Sequence, residues 1–414
     1  MRAIAPQADN RREPAPSVIP NGRSVMHNPT TAVLRIDRAA VQKNYATMRA
    51  QTAAGVRHGA VLKSDAYGLG ARPIAEALVD AGCSLFFVAD LDAALALRAA
   101  FPKVAIVALD GYSARRASDY RDHGIVAVAN DLHDIAALRQ GASPLPYILK
   151  VDTGLNRRGL PLGAVARLYL AGLFERLPPT GIMSHLACAA AADHPMNDLQ
   201  LHRFQQLYAL LRPAWGSLAA SCGVWLGPRF HFDVTRLGSA LFGLNDRRMR
   251  PSPLQPVLTL SAEVVEVRAL CAGETVGYGA IFRADRPTRL AVVGMGYAKG
   301  LPRTDRGLVA RIGGFLAPAV GRLSMEWLTL DVTDVPEPLC HRGTWVRLLD
   351  GQTTIDDLAD ATGIAAQEIL LRLGTACRRE HTAFEARTAC PEPAMTQVAA
   401  IARSPVSVRR DRSP

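Results

Sequence analysis

Residues 60–70 read AVLKSDAYGLG: an apolar run of strand type that stops on Lys63 and then turns through aspartate and glycine. An isolated lysine at a strand exit ordinarily reaches water, so its meaning depends on how the neighbouring strands end. Apolar runs of the same kind recur at AVLRID (32–37), SLFFVAD (84–90), VAIVALD (104–110), IVAVAN (125–130), YILKVD (147–152) and GIMSHLA (181–187). A last strand region covers GSLAAS and HFDVTRLG, within 216–238. Between the runs lie pieces with apolar residues at helical spacing, such as ARPIAEALVDAG (71–82), LDAALALRAAF (91–101) and DLQLHRFQQLYALLR (198–212). About eight strand-helix units in roughly 230 residues predict an α/β fold of (β/α)8, TIM-like type. The runs are continuous rather than alternating, as parallel strands buried on both faces require. An open doubly wound sheet is disfavoured, because no glycine-rich dinucleotide fingerprint follows the first strand.

After about residue 255 the texture changes. VLTLSAEVVEVRAL (257–270), TRLAVVGMGYA (288–298), LVARIGG (308–314), APAVGRLSMEWLTLDV (317–332) and TWVRLLD (344–350) are short, β-rich and punctuated by glycine. Two late helices are expected in TIDDLADATG (354–363) and QEILLRLG (367–374). The expected organisation is an N-terminal extension over 1–28, a barrel over 29–255, a mainly β domain over 256–381 and a loose basic tail over 382–414. Met26 stands just before the first strand-like run and is a candidate translation start, which the intact mass from the native cell would decide.

Composition narrows the function classes. With 49% hydrophobic and 21% charged residues the chain is ordinary globular protein. The net charge of +11 would suit nucleic acid only if basic residues clustered on one face beside a binding motif, and neither is visible. Part of the excess lies in the arginines of NRREP (10–14) and SVRRDRSP (407–414). The cysteines at 83, 188, 222, 271, 340, 377 and 390 show neither a CxxC pair nor zinc-site spacing, so no metal is expected. Their odd, dispersed set suits a reducing compartment. With no secretory signal and no bilayer-spanning apolar run, a cytoplasmic location is expected.

Several polar strand ends would meet on one rim of such a barrel: Lys63, Asp152 with Arg157, His185 and Arg236. Each alone has an ordinary reading, as a helix cap, a satisfied core histidine or an ion-pair partner. Together they point to chemistry. A lysine near apolar walls can lose its proton and become the amine nucleophile that a Schiff base needs.

AVLKSDAYGLG, KVDTGLNRRGL (150–160), MSHLACA (183–189), FHFDVTRLGSALFG (230–243), VGYGAIFRA (276–284), GMGYAKG (294–300) and VGRLSMEWLTLDV (320–332) together resemble alanine racemase. That family comprises pyridoxal 5'-phosphate enzymes with a lysine-bearing barrel followed by a β domain. The resemblance runs from about residue 32 to 381, in order. It implies that Lys63 holds the cofactor aldehyde as a Schiff base and that Tyr67 reaches the phosphate. Ser221, Gly238 and Ser239 would complete the phosphate cup, Arg236 would face the pyridine nitrogen and His185 would support the ring. Arginine does not give up its proton, so the ring nitrogen stays largely unprotonated and plain proton exchange at Cα is favoured over side reactions.

Racemisation takes a proton from one face of Cα and returns one to the other. Lys63 serves one face and Tyr278 matches the family's base for the other. A phenol with an ordinary pKa of about 10 would need cationic groups such as His185 and Arg236 to lower it. In the family that tyrosine comes from the partner subunit, so a homodimer with shared sites is implied. Arg157 and the backbone N–H of Met325 match the substrate carboxylate site, and Lys150 matches a lysine often carbamylated there. Tyr297 matches a residue at the substrate entrance. Cys222 reads as a small buried hydrophobe and not as a nucleophile.

The chain departs from the family at Lys299 and Glu326, where aspartates are usual, at Ala220 for asparagine and at Leu237 for proline. His381 stands where a late, phosphate-touching tyrosine is expected. The expected function is interconversion of L- and D-alanine, supplying D-alanine for cell-wall peptide. A related racemase for another amino acid, or a catalytically weakened pyridoxal phosphate-binding homologue, is the alternative.

Overall fold

The computed structural model describes residues 31–140, 145–304 and 307–382; Met26, the expected extension 1–28 and the tail beyond Thr382 lie outside them. Eight parallel strands form a barrel: Arg57–Val61, Leu85–Val88, Ala105–Ala108, Ile125–Ala129, Tyr147–Asp152, Gly181–Met183, Gly216–Ser217 and Val234–Leu237. Each pairs in parallel with the next as far as Gly216–Ser217. Val234–Leu237 returns to pair with Arg57–Ala60. The last seam is bridged by the N–H of Asp233 donating to Gly216 O at 3.1 Å and that of Arg236 to Ala219 O at 3.0 Å.

Strand chemistry explains the closure. Successive side chains point to opposite faces, and in a barrel both faces are covered. Leu85, Phe87, Val107, Val126, Val128 and Ile148 pack with Trp215 in the interior, whereas Phe86, Val88, Ile106 and Ala127 belong to the outer core under the helices. Gly181 makes room for the indole: a Cβ there would lie 2.4 Å from the Trp215 ring. The helices carry local start signals, as where Asp90 accepts from the N–H of Ala93 at 2.9 Å at the head of Leu91–Ala100, a cap worth about 1 kcal/mol.

The second, mainly β domain is organised around the long strand Leu258–Leu270, which pairs with Trp345–Leu349 on one side and with Thr288–Val293 further along. The run AVLRID, read from sequence as the first of the alternating units, belongs here and not to the barrel. Ala32–Ile36 lies antiparallel to Leu258–Ala262 and parallel to Arg378–His381. The reason is visible in the packing: Leu34 and Ile36 are fully buried while Arg35 is exposed, and an apolar run of this length carries no mark of which sheet it will join. Helices Ile355–Thr362 and Ala366–Ala376 form where expected. Among the described residues no helix is long and apolar enough to cross a membrane.

Candidate active site

The strand exits converge on a cavity of ≈ 860 Å³, closed on one side by the Ala366–Ala376 helix of the β domain. Lys63, Tyr67, Arg157, His185, Ser221, Arg236, Gly238 and Ser239 all line it, as does Lys150. Lys63 stands directly after Arg57–Val61 and Leu62, and begins a turn of unusual hand. Ser64, Asp65, Ala66 and Tyr67 have φ of 53°, 54°, 55° and 58°, a left-handed conformation that costs a non-glycine residue roughly 1–2 kcal/mol. Such strain persists only where surrounding bonds over-determine it. Here Asp65 accepts from the N–H of Ala71 and from Arg379 Nη1, both at 2.7 Å. Arg379 also donates to Gly68 O at 2.7 Å, which ties the turn to the end of the β domain.

The turn holds the Lys63 amine 5.5 Å from the centre of the Tyr67 ring. Burial, and then the Arg157 guanidinium, lower the pKa of Lys63. Lys150 is pulled to about 8 by burial, then by Arg157 and Arg236. Both amines are thereby moved toward the neutral, nucleophilic form. Arg157 is presented by a tight loop in which Asp152 Oδ1 accepts from the N–H groups of Gly154 and Asn156.

Arg236 is buried and pinned. Its guanidinium donates to the carbonyls of Ser217, Ser184 and Leu218 and to the Ser217 hydroxyl, and Nη2 lies 3.4 Å from Nδ1 of His185. Burial brings its pKa down to about 10, which leaves it charged at neutral pH. His185 is held from behind by Gln200, whose Nε2 donates to the His185 carbonyl at 3.0 Å and to Thr153 Oγ1 at 3.1 Å.

His185 is not one of the site's cations. Burial, followed by Arg236, Arg157, Lys150 and Lys63, takes its pKa from 6.5 to about 3, so the expectation that it helps as a cation to lower the Tyr278 phenol is corrected. The unfolded chain takes up a proton near pH 6.5 that the folded chain refuses until about pH 3. His185 therefore stabilises the fold fully above pH 6.5, and that contribution is lost as pH falls toward 3. His185→Gln is expected to flatten the fall in Tm between about pH 6.5 and pH 4.5. An unchanged slope in thermal melts would mean that the imidazole charges freely in the folded protein.

Beside the turn that carries Lys63 is a cradle of small groups. The N–H groups of Gly238 and Ala240 converge on Ser221 Oγ at 2.9 and 3.3 Å. Tyr67 leans over them so closely that a Cβ on Gly238 would meet its hydroxyl at 2.5 Å. Burial first, then Asp246, raise the Tyr67 pKa, so the phenol keeps its proton. Cys222 is half-buried and its thiol is pushed up to about 12 by burial and Asp246, which keeps it from acting as a nucleophile.

Other expected residues stand apart from the cavity. Tyr278 is 72% exposed and Met325 56% exposed, and neither lines it in their own chain. Tyr278 sits on a tight turn whose flanking Gly277 and Gly279 have φ of 69° and 74°, so the ring projects outward. His381 is also outside the cavity. It lies at the end of the β-domain strand beside Ile36, with Nε2 near Gly70. The late residue that does reach the cavity is Gln367, joined by Glu368 and Leu371. Lys299 and Glu326, two separate departures in the sequence, neutralise each other at 2.5 Å. Asp246 and Gln367 were not singled out from sequence. Asp246 follows an unremarkable LFGLN, and Gln367 opens a helix that reads as ordinary packing.

The arrangement offers a deprotonatable amine, a fixed guanidinium, a second arginine and a cradle for an oxyanion, all facing one cavity. The alanine racemase N-terminal domain family matches residues 36–246 and the alanine racemase C-terminal domain family residues 257–381. A protein named alanine racemase 3 from Mesorhizobium japonicum is 47% identical over 85% of this chain and 91% of its own length. A biosynthetic alanine racemase of the same organism is 45% identical over 84% and 88%. The crystal structure of alanine racemase from Bartonella henselae with covalently bound pyridoxal phosphate superposes with a TM-score of 0.80 at 35% identity, covering 86% of this chain and 100% of that one. By sequence over both domains and by fold, the chain belongs to the alanine racemase family.

Proposed function

We propose that this protein is a pyridoxal phosphate-dependent alanine racemase that interconverts L- and D-alanine and supplies D-alanine for cell-wall peptide. The observation that carries the reading is Lys63, an amine with its ammonium form disfavoured, facing a pinned Arg236 across one cavity. The residues fit the cofactor. The Ser221 hydroxyl, which accepts from the Gly238 and Ala240 N–H groups, keeps its own proton for a phosphate, Gly238 leaves the space a side chain would fill, and buried Arg236 offers a charged donor to a ring nitrogen. When bound, pyridoxal phosphate supplies the electron sink that acidifies the substrate Cα–H.

Lys63 would hold the cofactor and, once released by substrate, take or return the Cα proton on one face. Arg157 would bind the substrate carboxylate and fix its orientation. A carbamate on Lys150 would give Arg157 an anionic partner, and its lowered pKa supports the free amine that carbamylation needs. Ser221, Gly238, Ser239 and Tyr67 would hold the phosphate, with His185 packed on the ring as a neutral imidazole.

Tyr278 of the partner subunit would serve the opposite face, with the Met325 N–H assisting at the carboxylate. The support is that both residues belong to the β domain and are exposed in their own chain, as groups donated to a second copy would be. A homodimer in the cytoplasm follows from this reading. Lys299 pairs with Glu326, so these two departures from the family's aspartates leave a neutral pair where two negative charges are usual.

Borohydride reduction of the purified protein followed by peptide mapping tests the assignment. The expected result is a reduced pyridoxyl group on the peptide containing Lys63, together with loss of optical activity from L-alanine before reduction. A colourless protein, or label on another lysine, would overturn it.

A further inference from the structure

We infer that Asp246 sets the charge of the phosphate end of the cavity, so that the ester bound there shares a proton with this carboxylate instead of entering as a bare dianion. The inference rests on the pyridoxal phosphate reading and adds to it a residue that no part of that reading uses. Asp246 lies in the cavity wall just beyond the Ser239–Phe242 turn. Its Oδ2 accepts from the Ser239 hydroxyl at 2.6 Å and lies 3.7 Å from the Cys222 thiol, while Oδ1 accepts from Gln367 Nε2 at 2.7 Å. These partners are a hydroxyl, a thiol and an amide, none of which carries positive charge.

Among the described residues no cation of the neighbouring elements bonds to the carboxylate, and the Ile355–Thr362 helix brings a second acid, Asp356, within electrostatic reach of it. From the turn bearing Lys63 comes Tyr67, a protonated phenol. The Ser221–Val224 turn brings Ser221 and the protonated Cys222. From the Ala366–Ala376 helix come Gln367 and Glu368, the latter paired with Arg372 at 2.5 Å. On its own segment, Arg247 donates to Trp225 O at 2.7 Å and Arg248 pairs with Asp356 at 2.8 Å. Among the described residues, none of the cations lining the cavity, Lys63, Lys150, Arg157 and Arg236, bonds to Asp246.

Two consequences follow for an ester in this cup. The Ser239 hydroxyl is spent on Asp246 and the Gly238 and Ala240 N–H groups donate to Ser221 Oγ, so the side-chain donors left for the phosphate are the Ser221 and Tyr67 hydroxyls. A phosphate monoester loses its second proton near pH ~6 in water, and a carboxylate at the same site opposes that loss. An ester held here would therefore be favoured as the monoanion, with Asp246 available to accept its remaining proton. Raising the pH removes that proton and leaves two anions facing each other, so cofactor affinity falls on the alkaline side.

The test is phosphorus-31 NMR of the full-length protein loaded with pyridoxal phosphate, titrated over about pH 6 to 9 around the ordinary phosphate pKa of ~6, beside dissociation constants for pyridoxine 5'-phosphate, which has no aldehyde for Lys63. In the parent the bound resonance should titrate with a midpoint well above that of the free ester. Asp246→Asn, which keeps an acceptor for Ser239, should hold the resonance at the dianion position and bind pyridoxine phosphate roughly tenfold tighter at alkaline pH. Asp246→Glu should retain the titration. A parent resonance that stays dianionic throughout, or equal affinities for parent and Asp246→Asn, overturns the role of Asp246 while leaving the cofactor reading intact. The parent titration decides this even if the asparagine variant does not fold. Absence of any bound phosphorus signal overturns both.

Discussion

Lys63→Ala protein, supplied with saturating pyridoxal phosphate, is expected to racemise alanine at least about 10⁴-fold more slowly than the parent, because one change removes both the covalent anchor and one of the two Cα bases. The structure gives the residue no understudy. Lys150 also lines the cavity with a lowered pKa, but it stands on a different strand, beside Arg157 and Arg236. Polarimetry of L-alanine, with borohydride mapping of the same sample, checks the outcome. Turnover near the parental rate, or pyridoxyl label shifting to Lys150 with activity preserved, would remove Lys63 from the mechanism. The fold itself should survive, since the left-handed turn is held by Asp65, Gly68 and Arg379 and not by the lysine side chain.

Tyr278→Phe is expected to lower racemisation by roughly 10²–10⁴-fold, the range of one general acid-base group, and to do so unevenly. With only the lysine base left, one enantiomer of alanine should still exchange its α-hydrogen for deuterium in heavy water without forming the other. Equal exchange from both enantiomers would show that the phenol does not own a face. Because Tyr278 is exposed in its own chain and is not among the residues lining its own cavity, a second readout is available. Mixing Lys63→Ala and Tyr278→Phe proteins should restore about one quarter of parental activity, since half the random pairs are mixed and each has one intact site. No recovery on mixing would place the tyrosine's work within a single chain.

Much of the fold was legible because parallel barrel strands must be apolar on both faces. LFFV, AIVA and IVAVA are buried throughout for that reason. What local pattern does not carry is partnership at long range. AVLRID looks like its neighbours, yet its partners lie more than 200 residues away, at Leu258–Ala262 and Arg378–His381. The site divides along the same line. Lys63, Arg236 and the cradle sit at strand exits, where charge or glycine after an apolar run is conspicuous. Asp246 and Gln367 become a pair only through a contact spanning 121 residues. Lys299 and Glu326 read as two separate anomalies until their ion pair makes them one exchange. His381 went astray because matching by position along the chain overlooks which face of the sheet an end strand turns toward.

The bond from Arg379 to the turn bearing Lys63 has a consequence for biogenesis. A nascent chain exposes Lys63 early, but the guanidinium that locks its turn, and the strand that pins Ala32–Ile36, are added only near residue 379. Until that stretch has left the ribosome the bonds from Arg379 to Asp65 and Gly68 cannot form, so completion of the turn that carries Lys63 is timed by the far end of the polypeptide.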